Sequence, residues 1–238
     1  MLRALKQQVL EANLRLPASG LVNLTWGNVS GFDPGSGLMV IKPSGVPYGE
    51  LRDDDLVVLE VATGRQVEGK LRPSSDTPTH LVLYRAFHNH GIAGICHTHS
   101  PHATMFSQAG RALPCYGTTH ADHFHGPVPL CRALTPEETE ADYEGHTGHA
   151  IVQTFADQQI NPQHVPGVLQ LHHAPFTWGA SPMEALSNSI ALEMCARIAL
   201  GSLQLNPGLQ PIPAHILDKH HQRKHGPAAY YGQPPAHR

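Results

Sequence analysis

Four prolines mark helix starts along this chain, and they constrain its fold more than any other sequence feature. Pro78, Pro101, Pro136 and Pro182 each directly follow a serine or a threonine. A hydroxyl side chain is a favoured helix N-cap, and a proline is tolerated in the next position because its missing N–H would have no partner there. The pattern therefore predicts four helices that begin at these prolines and divide the chain into short segments.

Short apolar runs between these helix starts predict β-strands. GLMVIK begins at Gly37, DLVVLEV begins at Asp55 and ends in the turn ATGR, and the runs GIAGIC and GVLQL are apolar on both faces. A strand that is apolar at every position is typical of a sheet covered on both sides. Because the helices alternate with such strands, the sequence predicts an α/β fold of the layered α/β/α type.

The helices carry further predictions. The N-terminal helix is expected to bury one apolar face, made of Leu2, Leu5, Val9, Leu10 and Leu14. Capping boxes are expected at Thr135–Glu138 and Ser181–Glu184, where each cap would satisfy two free backbone N–H groups. The last long helix is expected to span 182–200 and to end at Gly201, with a short C-terminal helix after the linker 206–213.

Composition excludes several classes of protein. The chain has 238 residues and a net charge of −3 with histidine neutral, which argues against a dedicated nucleic-acid binder. The one basic run, 220–225, is too short to change this. Because no apolar stretch is long enough to span a membrane and the first residues do not form a signal peptide, we expect a cytoplasmic protein. The four cysteines lack CxxC spacing, which indicates reduced thiols.

Histidines cluster after the apolar run GIAGIC. His97 and His99 alternate along the predicted strand and would share one face, where two imidazoles can bind one divalent metal ion. His102 lies beyond Pro101 on the next helix and is the weaker candidate. A third ligand would come from His172 or His173, which follow the second buried run. Three protein ligands leave a coordination position open, as catalytic zinc sites do.

Three polar turns form a second group of candidate functional residues. They are GNVS at 27–30, KPSG at 42–45 and PSSD at 73–76. Ser74 and Ser75 precede a predicted helix, whose free N–H groups and dipole favour a phosphate, and Lys42 could add a positive charge. Each turn alone has the composition of an ordinary turn; their combination with a metal site predicts a phosphorylated ligand.

Six motifs together resemble the class II aldolase/adducin family. They are TWGNVS, IKPSGV, PSSDTPTH, HTHS, GTTHAD and KHHQRKHGPAAYYGQ, and the resemblance extends from the first helix to Gln233. It implies one α/β/α domain over 1–233 around a mainly antiparallel sheet, with a disordered tail at 234–238. It also implies a divalent metal ion in each subunit, usually zinc, and a homotetramer whose active sites lie between subunits.

The same resemblance assigns site residues. His97, His99 and His173 match the metal ligands, and Asp76 matches a position associated with the metal. Asp122 and Tyr231 match the two residues that handle protons. Other matched positions would bind the substrate, with the first seven in the polar turns: Gly27, Asn28, Lys42, Ser44, Gly45, Ser74, Ser75, Thr118, Glu144, His220 and Arg223. The segment YEGHTGH departs from the family pattern at Gly145 and His146.

The resemblance is greatest to the family's pentulose-phosphate epimerases and implies conversion of L-ribulose 5-phosphate to D-xylulose 5-phosphate in pentose catabolism. C4 is not adjacent to the C2 carbonyl, so breaking and re-forming the C3–C4 bond is easier than removing the C4 proton. One alternative is an aldolase of the L-fuculose-1-phosphate type, but those enzymes carry glutamate where this chain has Asp76. Another is a non-catalytic adducin-like module, which would tolerate loss of the histidines that this chain retains.

Overall fold

Eight strands form one sheet at the centre of the computed structural model, which describes residues 2–231. The strands are β1 (Asn28–Asp33), β2 (Leu38–Ile41), β3 (Val57–Glu60), β4 (Gln66–Glu68), β5 (Gly94–His97), β6 (Leu130–Cys131), β7 (Gly167–Gln170) and β8 (Pro175–Gly179). Their order across the sheet is β4-β3-β2-β1-β5-β8-β7-β6. Every neighbouring pair is antiparallel except β6 and β7. The mainly antiparallel sheet is therefore confirmed.

Helices cover both faces of this sheet. They are α1 (Leu2–Ala18), α2 (Thr77–Phe87), α3 (Pro101–Gln108), α4 (Thr118–Ala121), α5 (Pro136–Asp157), α6 (Pro182–Leu205) and α7 (Ala214–His225). On β5, Cys96 packs in a cluster with residues of α1 and α6, whereas the adjacent Ile95 packs in the cluster that contains Tyr84 of α2 and Ile151 of α5. Because adjacent strand residues point to opposite faces, the layers are helix, sheet and helix, as predicted.

The predicted helix starts are confirmed to within one residue. Helices α3, α5 and α6 begin at their prolines, and α2 begins at Thr77, one residue before Pro78. Thr135 forms the complete capping box with Glu138. The second box is only half correct: the Ser181 hydroxyl accepts the Glu184 N–H at 3.2 Å, but the Glu184 carboxylate accepts the N–H of Ala180 instead of that of Ser181.

The predicted end of α6 is wrong. The helix continues through Gly201 to Leu205. One glycine inside a helix costs only about 1 kcal/mol, and Leu203 beyond it packs against the main hydrophobic core. Tertiary packing therefore outweighs the local stop signal.

The predicted buried face of α1 is wrong at Leu14, which is 44% exposed. The fully buried apolar residues are Val9, Ala12 and Leu16. At about 100° per residue, Leu14 lies roughly 140° around the helix from Val9 and so faces solvent.

Several chain segments that carry predicted site residues meet at one edge of the sheet. His97 at the end of β5 pairs with Asn28 at the start of β1 on one side and with Phe176 near the start of β8 on the other. Strand β2 ends at Ile41, opposite Ser30 of β1, so Lys42 follows at the same edge. The antiparallel order thus places the histidines, Asn28 and Lys42 close together.

No helix within residues 2–231 is long and apolar enough to cross a membrane. All four cysteines are buried and free, in agreement with the reduced thiols that their spacing indicated. The predicted tail at 234–238 lies outside the described residues.

Candidate metal centre and active site

Three imidazoles converge at this edge of the sheet. One potential ligand atom from each of His97, His99 and His173 lies within 4.8 Å of the other two. The ring centroids are 5.0 Å apart for His97 and His99, 4.9 Å for His97 and His173, and 5.0 Å for His99 and His173. His97 and His99 therefore lie together, but the predicted strand alternation is wrong, because β5 ends at His97 and His99 follows it in irregular backbone. The third histidine comes from the turn between β7 and β8.

Contacts on the far side of His97 hold its ring in place. Its Nδ1 lies 3.0 Å from the carbonyl oxygen of Pro175, and its ring stacks on Phe176 with centroids 4.2 Å apart. We assign the Nδ1–H as the donor to that carbonyl, which leaves Nε2 as the free ligand atom. Metal-binding histidines are commonly oriented in this way by a backbone carbonyl.

The backbone of the turn between β7 and β8 determines which of the two adjacent histidines can be the third metal ligand. His172 adopts a left-handed backbone conformation with φ 62° and is exposed, whereas His173 is directed into the cluster. His102, the weaker candidate, is not part of the cluster. Its Nδ1 lies 2.7 Å from the Glu193 carboxylate, which also accepts backbone N–H groups at the start of α3.

The electrostatic environment keeps two of these imidazoles neutral. Burial, followed by the neighbouring His97, lowers the pKa of His99 to about 4 and that of His173 to about 3. A neutral imidazole has the free lone pair that a metal ion requires. In addition, Nδ1 of His173 is buried and has no hydrogen-bond partner among the described residues. The three residues therefore fit a divalent metal ion.

Asp76 lies beside the three histidines, but its carboxylate is not one of the ligand atoms that lie within 4.8 Å of one another. Its Oδ2 accepts a hydrogen bond of 2.7 Å from the Asn28 amide, which also donates to Ser74 Oγ at 3.0 Å. Burial raises the pKa of Asp76, but the neighbouring imidazoles of His97 and His80 and the Asn28 bond outweigh it and hold the pKa below its usual value. Asp76 is thus a charged carboxylate that faces the candidate metal ligands.

A cleft of about 360 Å³ opens onto the histidines. The predicted ligands and most predicted substrate-binding residues line it: Gly27, Asn28, Lys42, Ser44, Gly45, Ser74, Ser75, Asp76, His97, His99, Glu144 and His173. Gly27 allows the first loop to approach the centre, because its φ is 77° and a Cβ would lie 2.7 Å from the His97 carbonyl oxygen. The three polar turns therefore form one continuous wall with the histidines.

Lys42 gives this wall a buried positive charge. The residue is 2% exposed, and its ammonium group donates one hydrogen bond, of 3.2 Å, to the Pro43 carbonyl. Burial lowers the pKa of Lys42 because the charged form loses its hydration. An ammonium group with one backbone partner, close to serines at a helix start, fits an anion such as a phosphate.

The remaining predicted residues form a second cluster, which we call the tail cluster: Thr118, Asp122, His220, Arg223 and Tyr231. Asp122 accepts two hydrogen bonds from Arg223, of 3.0 and 2.6 Å, and lies 3.1 Å from Nδ1 of His220. The Arg223 guanidinium lies 4.9 Å from the centre of the Tyr231 ring, and the Thr118 carbonyl accepts the Asp122 N–H. No member of the tail cluster lines the cleft that holds the histidines.

The hydrogen bonds between Asp122 and its neighbours Arg223 and His220 determine the charge of Asp122. Burial raises the pKa of this carboxyl, but the hydrogen bonds from Arg223 and His220 outweigh it and hold the pKa below its usual value. Asp122 is therefore an ionised carboxylate with both oxygens engaged.

Comparison with known proteins identifies the family. Residues 7–200 match the family described as Class II Aldolase and Adducin N-terminal domain. The chain belongs to this family.

Two relatives cover nearly the whole chain. An L-ribulose-5-phosphate 4-epimerase UlaF of Salmonella paratyphi A is 50% identical over 232 residues, which are 98% of this chain and 100% of the relative. The protein of the same name from Salmonella typhi has the same identity and coverage. Among solved structures, an L-fuculose 1-phosphate aldolase superposes with a TM-score of 0.77 at 24% identity, over 92% of this chain and 95% of that one. The structural likeness supports the class II aldolase fold.

Two aromatic residues of the cleft were not predicted. Trp26 and Tyr143 line it, with ring centroids 6.0 Å from those of His99 and His173 respectively. Burial, followed by the nearby carboxylates of Glu144 and Asp76, raises the pKa of Tyr143, which therefore stays protonated. Trp26 directly precedes Gly27, and Tyr143 directly precedes Glu144. The family resemblance assigned Gly27 and Glu144 to the site, so adjacency to them was the sequence signal that could have identified the two aromatic residues.

Proposed function

We propose that this chain is an L-ribulose-5-phosphate 4-epimerase that uses a divalent metal ion. The observation that carries the proposal is that His97, His99 and His173 converge and line the same cleft as Lys42 and the serine-rich turns. A metal centre next to an anion site suits a phosphorylated sugar. The full-length similarity to proteins named L-ribulose-5-phosphate 4-epimerase supports that substrate.

The chemistry follows from where the inverted carbon lies. C4 of L-ribulose 5-phosphate is one carbon too far from the C2 carbonyl for simple proton removal. Cleavage between C3 and C4 yields an aldehyde fragment. This fragment can rotate, so that the C3–C4 bond forms again on the opposite face of the aldehyde. A bound divalent cation would act as a Lewis acid and stabilise the negative charge that develops on the adjacent oxygens. We propose zinc, because three imidazoles with an open position are its usual catalytic ligands.

Residues of the cleft hold the substrate in this scheme. The phosphate is bound by the residues of two polar turns: Lys42, Ser44, Gly45, Ser74 and Ser75. These residues keep the phosphorylated fragment in the site while the C3–C4 bond is open. The side-chain oxygen Oδ1 of Asn28 is buried without a partner among the described residues and is suited to accept a hydrogen bond from a sugar hydroxyl. Asp76 keeps Asn28 in position through their 2.7 Å hydrogen bond.

Two proton-handling residues are needed, one for each face of the aldehyde, and we propose Asp122 and Tyr231. Both belong to the tail cluster, which does not line the cleft of the same chain. We therefore propose that the tail cluster of a neighbouring subunit completes the site, in a homotetramer with sites between subunits. An exposed apolar row on α6, formed by Ile190, Met194 and Ile198, supports association with another chain.

The second candidate is an aldolase that releases the aldehyde. Relatives of known fold include an L-fuculose 1-phosphate aldolase, but at 24% identity the likeness concerns the fold. The residue that favours the epimerase is Asp76, which is one methylene shorter than the glutamate that the family resemblance implies for the aldolases. Asp76 accepts a hydrogen bond from Asn28.

Purified protein tests the proposal. It should convert L-ribulose 5-phosphate to D-xylulose 5-phosphate, lose that activity after chelation and recover it with Zn²⁺ or Mn²⁺. Incubation with L-fuculose 1-phosphate should release no aldehyde. Full epimerase activity in metal-free protein would contradict the metal centre, and faster cleavage of L-fuculose 1-phosphate would favour the aldolase.

A further inference from the structure

Helix α5 is interrupted beside the cleft. Asp142 has φ −161° and ψ 80°, which are not helical, so two helical segments meet at this residue. Its Oδ1 accepts the N–H of Gly145 at 3.1 Å. An aspartate with extended backbone whose side chain accepts an N–H three residues later is a helix N-cap. The sequence thus starts a new helical segment at Asp142.

Two contacts fix this interruption in place. A Cβ at position 145 would collide with the Asp142 carboxylate, so the cap requires glycine there. The Thr79 hydroxyl of α2 donates a 2.6 Å hydrogen bond to the Glu144 carbonyl. The Asp142 cap and the bond from Thr79 therefore hold the start of the second helical segment against α2.

The residue directly after the cap, Tyr143, is directed into the cleft. Its ring centroid lies 6.0 Å from that of His173, and the side chain is half-buried. The phenol has no hydrogen-bond partner within residues 2–231, whereas Tyr48, whose phenol is also near the cleft, donates to the Trp26 and Gly27 carbonyls. A fixed phenol with a free O–H next to a candidate metal ligand is available to a bound molecule.

We infer that Tyr143 is a substrate-contacting residue whose phenol donates a hydrogen bond to a sugar oxygen bound beside His173. The inference rests on the proposed function and extends it, because the proton-handling residues belong to the tail cluster whereas Tyr143 belongs to the same chain as the metal ligands. Oxygens next to the histidines gain negative charge when the C3–C4 bond opens, and a neutral donor at that place stabilises the charge.

The main test replaces Tyr143 by phenylalanine, which keeps the ring and removes the O–H. We expect kcat/KM for L-ribulose 5-phosphate to fall by about a hundredfold, mostly in kcat. Metal content and competitive inhibition by inorganic phosphate should stay at wild-type values, because the histidines and the serine-rich turns are intact. A merely structural role would change metal content or phosphate inhibition together with the rate.

The outcomes separate this inference from the function on which it rests. An inactive wild-type protein would refute the epimerase itself. An active wild-type protein with a Tyr143→Phe loss of at least about tenfold, and unchanged metal and phosphate binding, supports the contact. A smaller loss, or weakened metal or phosphate binding, overturns it.

A second variant tests the cap that directs Tyr143. Gly145→Ala should displace the Asp142 carboxylate and lower kcat/KM, and it should add little when Tyr143 is already phenylalanine. Gly35→Ala is the matched control, because Gly35 lies in the exposed turn between β1 and β2 and its added Cβ would meet only the Asp33 carboxylate at 3.5 Å. Full additivity of Gly145→Ala with Tyr143→Phe would overturn the role of the cap in directing Tyr143.

Discussion

Two adjacent histidines provide the residue-scale test of the metal centre. His173 belongs to the three-imidazole cluster, whereas His172 is exposed with φ 62°. We expect His173→Asn to lower the bound metal well below one equivalent per chain and to abolish epimerisation. His172→Asn should keep both, because asparagine tolerates the left-handed conformation. Elemental analysis of the dialysed proteins is the measurement, and equal metal in the two variants would exclude His173 as a ligand.

Residue patterns predicted part of this site and not the rest. His97 and His99 could be found because H-x-H spacing is a local property, although β5 ends at His97 and His99 lies beyond it. Residue types alone did not distinguish His172 from His173 as the third ligand, because the distinction depends on the backbone of one turn. The family resemblance was needed to select His173. Tyr143 was missed because the Asp142 cap and α2 direct it into the cleft, and that geometry depends on contacts distant in sequence.

At the scale of elements, α5 begins with a capping box whose contribution can be measured. The Thr135 hydroxyl accepts the Glu138 N–H at 3.2 Å, and the Glu138 carboxylate accepts the Thr135 N–H at 2.9 Å. Thr135→Ala should lower the free energy of unfolding by about 1 kcal/mol, whereas Thr135→Ser keeps the hydroxyl and should retain most of it. Denaturant unfolding of both variants is the measurement. Equal losses would show that the hydroxyl does not contribute.

Helix α4 carries a buried histidine that should make the fold sensitive to acid. Burial lowers the pKa of His120 to about 4, although a hydrogen bond to the Gly126 carbonyl acts in the opposite direction. In the unfolded chain a histidine has a pKa of about 6.5, so the unfolded state binds more protons below that pH. The stability is therefore present above about pH 6.5 and is lost as the pH falls towards 4.

This linkage predicts a difference between wild-type protein and His120→Gln, which has no titrating group at that position. Between pH 7 and pH 5 the wild type should lose about 2 kcal/mol more unfolding free energy than the variant. Urea unfolding of both proteins at the two pH values, with chelator present throughout, is the measurement. Parallel pH dependence would contradict a buried, neutral His120.

Element boundaries show which features of the fold are local. The starts of α3, α5 and α6 were predictable because a hydroxyl cap and a proline suffice to define them. The end of α6 was not, because Leu203 packs on the core and carries the helix past Gly201. The antiparallel order of the sheet came from the family resemblance, since strand pairing is not visible in the strands' own residues.

At the scale of the whole molecule, the proposed site between subunits predicts complementation between two inactive variants. His97→Asn damages the metal half of a site, and Tyr231→Phe damages the tail half. In a cyclic tetramer each site would combine the metal half of one chain with the tail cluster of the next. After dissociation and reassembly at equal amounts, about a quarter of the sites should be intact, since each half is sound with a probability of about one half.

Native mass spectrometry of the mixture should first establish that subunits exchange. Recovered activity near a quarter of the wild-type value then supports sites between subunits. If the tail cluster served its own chain, every site would carry one damaged half, and no recovery despite exchange would contradict the shared site.

In the proposed mechanism the chain inverts C4 by opening the C3–C4 bond at the three-histidine centre. The most direct measurement is conversion of L-ribulose 5-phosphate in D₂O, followed by NMR of the D-xylulose 5-phosphate formed. Because C4 keeps its hydrogen throughout carbon–carbon cleavage, the product should carry protium at C4. Deuterium at C4 would show proton removal at that carbon and contradict the mechanism, and no conversion by metal-loaded protein would contradict the proposed function.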